Sequence, residues 1–335
     1  MNNYRVMNQL TAKPFVKWAG GKGKLLPTLA RLLPDGLARR DGLTYIEPFV
    51  GGGAMLFFML QKFGNIRKAV INDINPDLIT AYRMVKNNPE KLVGRLSAIQ
   101  KEYFGITGDD GRKEFYLAMR KQFNDGGMSV VDNAACLIFL NRTCFNGLYR
   151  VNSKGGFNVP FGRYKTPKIC DEETIYADSR LLQDVEITCG DFEQVLEYVS
   201  ADAFVYLDPP YRPLDATSSF TSYSKDGFDD NEQIRLKKFL DKLTSAGCPA
   251  MLSNSDVTGH DPQDTFLDYL YDGYRINRVY APRSINAKPD GRGQITELLV
   301  TNYADNGVVS TSIIKHSMTT LNINNYEQSP YRRTV

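Results

Sequence analysis

The sequence predicts an α/β fold: a parallel sheet with helices on both faces, interrupted by an inserted, mainly helical domain with a β-hairpin. Three observations predict it. Strand and helix alternate early in the chain, the same rhythm returns near residue 185, and the stretch between reads as helices followed by a glycine- and aromatic-rich run. A chain of 335 residues has room for roughly two such units and needs no disulfide or metal staple to bury a core.

The elements follow in order. Residues 44–49 read as a short buried strand closing on Gly51-Gly52-Gly53, residues 54–62 as a helix and 68–73 as a second strand. Pro76 suits the first turn of the next helix, where its missing N–H is no loss. From 87 to 140 the pattern is helical. Strands return at 185–189, 203–207, 249–253 and 294–300, with a helix at 231–244. The expected boundaries are 1–86 with 169–303 for the sheet domain, 87–168 for the insert, and 304–335 for a polar tail expected to be weakly ordered.

Composition excludes much chemistry. Five cysteines form no Cys-x-x-Cys pair, and an odd number suits a reducing compartment. With two histidines, His260 and His316, zinc hydrolysis and most Ser-His or Cys-His mechanisms are disfavoured, and no metal is expected. No apolar run approaches the roughly 20 residues of a membrane span. Residues 1–13 are polar and lack an apolar signal core, so the expected location is cytoplasmic. The net charge of +3 excludes neither nucleic acid nor small anions, because a local patch suffices.

Four motifs carry chemistry. The first is Glu47-Pro48-Phe49-Val50-Gly51-Gly52-Gly53, a strand tip whose glycines let a ligand approach the backbone. Asp73 follows Gly53 at the end of the next strand, a spacing that suits a carboxylate on ribose hydroxyls. An adenosine-containing cofactor and a plain tight turn explain this motif nearly equally well. It is not a dinucleotide fingerprint, since Leu56 stands where the last glycine belongs. The second is Lys17-Trp18-Ala19-Gly20-Gly21-Lys22, a weak signal for a loop that folds against something; taken singly, a lone Trp18 is usually core and Lys22 usually a solvated charge. The third is Asp208-Pro209-Pro210-Tyr211, directly after an apolar run, hence at the carboxyl end of a buried strand. The Asp208 carboxylate and the Pro209 carbonyl can each accept a hydrogen from one exocyclic amine, and Tyr211 offers a stacking face. Two acceptors favour a tetrahedral nitrogen able to attack a methyl group. A simple proline turn is the bland alternative.

The fourth motif is the run 141–168. It carries Arg142, Arg150, Lys154, Arg163, Lys165 and Lys168, no acid, and interleaved aromatics that include Tyr164. Residues 151–157 suit a hairpin tip. Cations and rings together suit phosphate contact, base-edge contact and stacking, although a solvated basic loop has the same composition.

At this point the chain resembles the Dam-type DNA adenine-N6 methyltransferases, which use S-adenosylmethionine, over nearly all of residues 15–303. The likeness rests on the loop 17–22, the turn 47–53, Asn72-Asp73, the run 141–165 and Asp208 to Tyr211, with further matches at 216–223, Arg283-Ser284-Ile285 and Glu297-Leu298-Leu299. Phe145 departs from it, standing where Tyr is common. The resemblance implies a Rossmann-like methyltransferase sheet and methyl transfer to a flipped adenine in duplex DNA. It implies cofactor contacts at Trp18, Lys22, Glu47, Phe49, Gly51, Gly53, Asp73 and Asp208, and at Asp191 and Phe192 near the cofactor adenine. It places catalysis on Asp208, Pro209, Pro210 and Tyr211. DNA contacts fall on Arg142, Asn146, Leu148, Arg150, Lys154, Tyr164 and Lys165, with Arg150 reading the guanine before the adenine. The implied target is GATC, with a longer target beginning GA as the alternative. Duplex DNA is the expected partner, a membrane is not, and a partner restriction endonuclease is compatible with the sequence. The absence of a Pro-Cys dipeptide argues against cytosine-C5 chemistry. A cytosine-N4 enzyme, an RNA methyltransferase and a DNA-binding regulator with a vestigial cofactor pocket are the competing readings.

Overall fold

The computed structural model describes residues 12–18, 20–214, 228–282 and 294–304. The expected tail from 305 onward, the matching segments 216–223 and Arg283 to Ile285 lie outside the described residues. In chain order the elements are α1 (Leu26–Arg31), β1 (Leu43–Glu47), α2 (Ala54–Lys62), β2 (Ile66–Asp73), α3 (Pro76–Asn87), α4 (Pro89–Gly105), α5 (Asp109–Asp125), α6 (Val130–Thr143), α7 (Glu172–Leu182), β3 (Val185–Cys189), β4 (Ala203–Leu207), α8 (Asp230–Ser245), β5 (Ala250–Ser255), α9 (Val257–His260), α10 (Phe266–Leu270), β6 (Arg275–Pro282) and β7 (Gln294–Thr301).

Among the described residues the strands form one sheet of order β3-β2-β1-β4-β5-β7-β6. β1 pairs in parallel with both β2 and β4, so the chain leaves β1 in one direction and returns beside it from the other. That reversal opens a crevice at the carboxyl ends of β1 and β4, where open α/β sheets bind ligands. β4 is the centre: all five of its residues are buried, as a strand covered on both faces requires. The sheet is not wholly parallel, as the strand–helix rhythm suggested. β7 runs antiparallel to β5 and to β6, and this pairing brings Glu297 opposite Ser255.

Local chemistry fixes the helix starts near the site. Pro76 occupies the first turn of α3, and the Asn75 side chain accepts from the Leu78 N–H. α6 is buried along most of its length, with Ala134 through Leu140 all inaccessible, and it packs against α3, α4 and α5. After α6 the chain makes no regular hairpin strands. Isolated antiparallel bridges join Cys144 to Phe161 and Val151 to Phe157. The tip is held instead by Asn152, whose side-chain oxygen accepts from the N–H groups of Lys154 and Gly156.

Candidate active site

Four carboxylates mark the ends of successive parallel strands. Glu47 ends β1, Asp73 ends β2, Asp191 follows β3 and Asp208 follows β4. All four line one cavity of about 860 Å³, together with Trp18, Lys22, Phe49, Phe192 and the Gly51–Gly53 turn. The cavity is thus walled by the expected cofactor and catalytic residues, which the chain brings together from separate motifs.

The glycine turn is shaped by its neighbours. Gly51 has φ +48° and Gly53 φ +75°, in the left-handed region that side chains avoid. A Cβ at Gly51 would lie 2.8 Å from the Trp18 indole, and one at Gly53 would meet the Tyr82 hydroxyl. One Asp73 oxygen accepts from the Gly51 N–H at 3.0 Å and the other from the Asn75 N–H at 3.0 Å. Asp73 therefore braces the turn as well as facing the cavity. Burial pushes its carboxyl up to about 6, against the pull of these bonds. Glu47 lies deeper, accepts from the Tyr45 hydroxyl at 2.7 Å, and is held well above the usual carboxylate range by burial. Asp191 is bound on both oxygens by Arg235, at 2.9 and 2.7 Å, and this pairing lowers it. The Arg235 guanidinium lies 4.2 Å from the Phe192 ring centre, and Phe192 packs at 5.2 Å from Phe49. The result is an aromatic shelf closed by an ion pair.

The Asp208–Tyr211 tetrapeptide sits on the opposite side of the crevice. Burial raises Asp208 to about 6, opposed first by the Lys22 ammonium 3.1 Å away. Lys22 is itself 3% exposed, an unusual state for a lysine, and its ammonium also donates to the Tyr211 hydroxyl at 2.6 Å.

Trp18 and Lys17 tie this cavity to residues 141–149. The Trp18 ring stacks on Tyr149 at 4.9 Å and 21°. The Lys17 N–H donates to the Asn141 side chain at 2.8 Å, and the same amide donates back to the Lys17 carbonyl at 2.7 Å and to the Gly147 carbonyl at 3.1 Å. Lys17 also joins Arg142, Tyr164, Lys165 and Lys168 around a second, basic cleft of about 350 Å³.

The expected DNA contacts divide. Arg150 is half-buried, its guanidinium oriented by the Asn158 side chain at 2.8 Å. Lys154 is exposed at the tip. The Tyr164 hydroxyl accepts from the N–H of Asn146, a residue held at φ +57°. Leu148 packs partly into the core. Arg142 is already engaged: it donates to the Phe15 carbonyl at 2.7 Å, and burial lowers its affinity for the proton. Sequence reasoning assigned no role to Lys17, Asn141, Arg235 or Glu297. A lone Glu297 beside buried Leu298, Leu299 and Val300 is the kind of polar interruption that marks such a residue.

Residues 18–285 match the family of D12 class N6 adenine-specific DNA methyltransferases. The chain belongs to this family. It is an N6-adenine-specific DNA methyltransferase, an enzyme that acts on DNA and draws on a methyl donor. It is 50% identical to the type II methyltransferase M.MjaIII of Methanocaldococcus jannaschii over 297 residues, covering 88% of this chain and 100% of that one. It is 42% identical to the type II methyltransferase M1.LlaDCHI of Lactococcus lactis, covering 89% and 98%. A DNA adenine methylase of Vibrio cholerae is 36% identical, covering 86% and 95%. Among the described residues of this D12 methyltransferase, no helix is long and apolar enough to cross a membrane.

Proposed function

We propose that the methyl donor is S-adenosylmethionine and that the acceptor is N6 of an adenine flipped out of duplex DNA, within GATC. The observation that carries the reading is the placing of Asp208-Pro209-Pro210-Tyr211 and Asp73 across one crevice, at the tips of the two strands that flank β1. The glycine turn supports a ligand with an adenosine moiety, since its tight fit against Trp18 and Tyr82 leaves bare backbone at the cavity wall. Asp73 would hold its ribose, the Phe49–Phe192 shelf its adenine, and Trp18, Lys22 and Glu47 the remaining polar part. When bound, that donor supplies an electrophilic methyl on a sulfonium.

The chain's own residues do the rest. A base inside the duplex cannot be reached, so the target leaves the stack and enters beside Tyr211. Asp208 and the Pro209 carbonyl accept the two N6 hydrogens. This localises the nitrogen lone pair for in-line attack, and rate comes from positioning and polarisation. Asp208 must be ionised to accept. The sheet domain 1–86 with 169–303 would hold the donor and the target base, and 87–168 would read the duplex. Arg150 would meet the guanine before the adenine, Lys154 and Lys165 the phosphates, and Asn146, Leu148 and Tyr164 would set the hairpin against the groove. The type II names of two relatives support a partner restriction endonuclease.

The test is a methylation assay with S-adenosylmethionine on duplexes carrying GATC, GA-starting variants and GATC-free controls, with methyl groups mapped to single bases. Transfer confined to the adenine of GATC is expected. Transfer to longer GA-starting sites alone would replace the target, and transfer to cytosine N4 would overturn the acceptor.

A further inference from the structure

Glu297 lies on β7, outside the Asp208–Tyr211 tetrapeptide, yet it completes a closed set of contacts around it. One Glu297 oxygen accepts the Tyr211 hydroxyl at 2.7 Å, and the same oxygen is 3.4 Å from the Lys22 ammonium. Lys22 reaches Asp208 at 3.1 Å and donates to the Tyr211 hydroxyl at 2.6 Å. Its ammonium also stands 4.3 Å from the Tyr211 ring centre. One buried cation is therefore shared between two carboxylates and the phenol oxygen of Tyr211, whose hydrogen goes to Glu297.

We infer that Glu297 is a positioning residue for methyl transfer: it fixes the Tyr211 ring and draws Lys22 partly away from Asp208, leaving that carboxylate able to accept from the incoming amine. The inference rests on the reading that Asp208 to Tyr211 receive the adenine. Its physical basis is competition. A lysine that faced Asp208 alone would occupy it as a full ion pair and withdraw its charge from N6. A second carboxylate divides that attraction. Without the Glu297 acceptor the Tyr211 hydroxyl would be free to turn its hydrogen wholly toward Asp208. The groups around Asp208 are Lys22 from the turn before α1, Glu297 from β7, Tyr211 from its own loop, Tyr206 from β4 and Glu47 from β1. Among them Glu297 raises the Asp208 carboxyl, whereas Lys22 and the Tyr211 hydroxyl lower it.

The test uses the full-length enzyme and Glu297→Gln, which keeps shape and loses charge. Single-turnover methylation at saturating DNA and donor is measured across pH, with duplex affinity measured separately. The rate constant should fall about tenfold or more, the acid limb of its pH profile should move to lower pH, and duplex affinity should stay within about twofold. A loss of packing alone would not move the limb. Tyr211→Phe should move it the other way, because the hydroxyl that lowers Asp208 is gone. If Glu297→Gln does not fold, as judged by its melt, Glu297→Asp decides: it keeps the charge but withdraws it from Tyr211 and Lys22, so its rate should fall and its acid limb should also move to lower pH, and an unchanged rate and limb overturn the inference. A wild-type enzyme that leaves adenine unmethylated overturns the reading of the site and the inference with it. A methylating wild type with a folded Glu297→Gln at equal rate and an unmoved limb overturns the inference alone.

Discussion

Asp208 illustrates how much one side chain is asked to do. It is held beside a buried lysine and, in the proposed mechanism, also accepts from an amine. Asp208→Ala should cost on the order of a hundredfold or more in methyl transfer, because a preorganised polar partner at the reacting atom is removed. Duplex affinity, measured by anisotropy, should survive, since the cations of the 141–168 run are untouched. Asp73→Ala should weaken binding of S-adenosylhomocysteine by about 1–3 kcal/mol in calorimetry, the cost of stranding buried partners. That variant also frees the Gly51 and Asn75 N–H groups that Asp73 now satisfies. In the 141–168 run, if Arg150 reads guanine as proposed, Arg150→Ala should relax preference at the first base by about 1–3 kcal/mol, because its Asn158-oriented fork suits guanine O6 and N7. Lys154→Ala should instead weaken all duplexes alike and reduce the salt slope by about one charge. Methylation of duplexes varied at the first base, at fixed salt, separates the two.

At the scale of elements, the glycine turn makes the sharpest prediction. Gly51→Ala must hold an alanine at φ +48° with its methyl 2.8 Å from the Trp18 indole. Affinity for the donor product should fall by about tenfold or more while the far strands stay intact, a split that calorimetry with hydrogen exchange can read. The central elements were legible in the sequence. Residues 54–62, 185–189 and 203–207 have the expected bounds: β4 is a buried apolar run closed by turn residues, β3 alternates apolar with polar residues, and α2 is apolar up to Gln61-Lys62. β6 was missed. Arg275, Asn277 and Arg278 interrupt its apolar residues and break the alternation, and an edge strand so interrupted carries a weak signal. The antiparallel sense of β7 was not legible either, since residue pattern does not encode direction. α7 was not foreseen, since its buried Ile175, Ala177 and Leu182 are interrupted by buried Thr174, Asp178 and Ser179. The strand-tip motifs of the site could be read because each is contiguous. The Asn141–Lys17 pair and the Lys22–Glu297 contact could not, because only the folded chain brings such distant residues together.

Across the whole molecule, buried carboxylates set activity and stability against each other. Asp73 and Asp208 are raised to about 6 and Asp178 to about 8, all chiefly by burial, whereas unfolded carboxyls titrate near 4. Between about pH 8 and pH 4 the folded chain therefore binds protons that the unfolded chain does not. By linkage, its stability rises as pH falls through that window. Asp132, Asp171 and Asp191 are lowered, so they oppose this trend only near and below pH 4. The ligand-free enzyme should melt a few degrees higher near pH 5.5 than near pH 8, while methylation falls as Asp208 takes up its proton below about 6. Calorimetric scans and rate profiles in the same buffers check both signs.

The chain's only tryptophan, Trp18, stands in the wall of the main cavity and lies flat against Tyr149, next to Arg150. Light absorbed by indole in this protein is therefore emitted from a single known place. Its fluorescence should change when the donor site fills and change again when duplex engages the neighbouring hairpin. The two arrivals can then be timed in one stopped-flow trace, without a label and without waiting for chemistry.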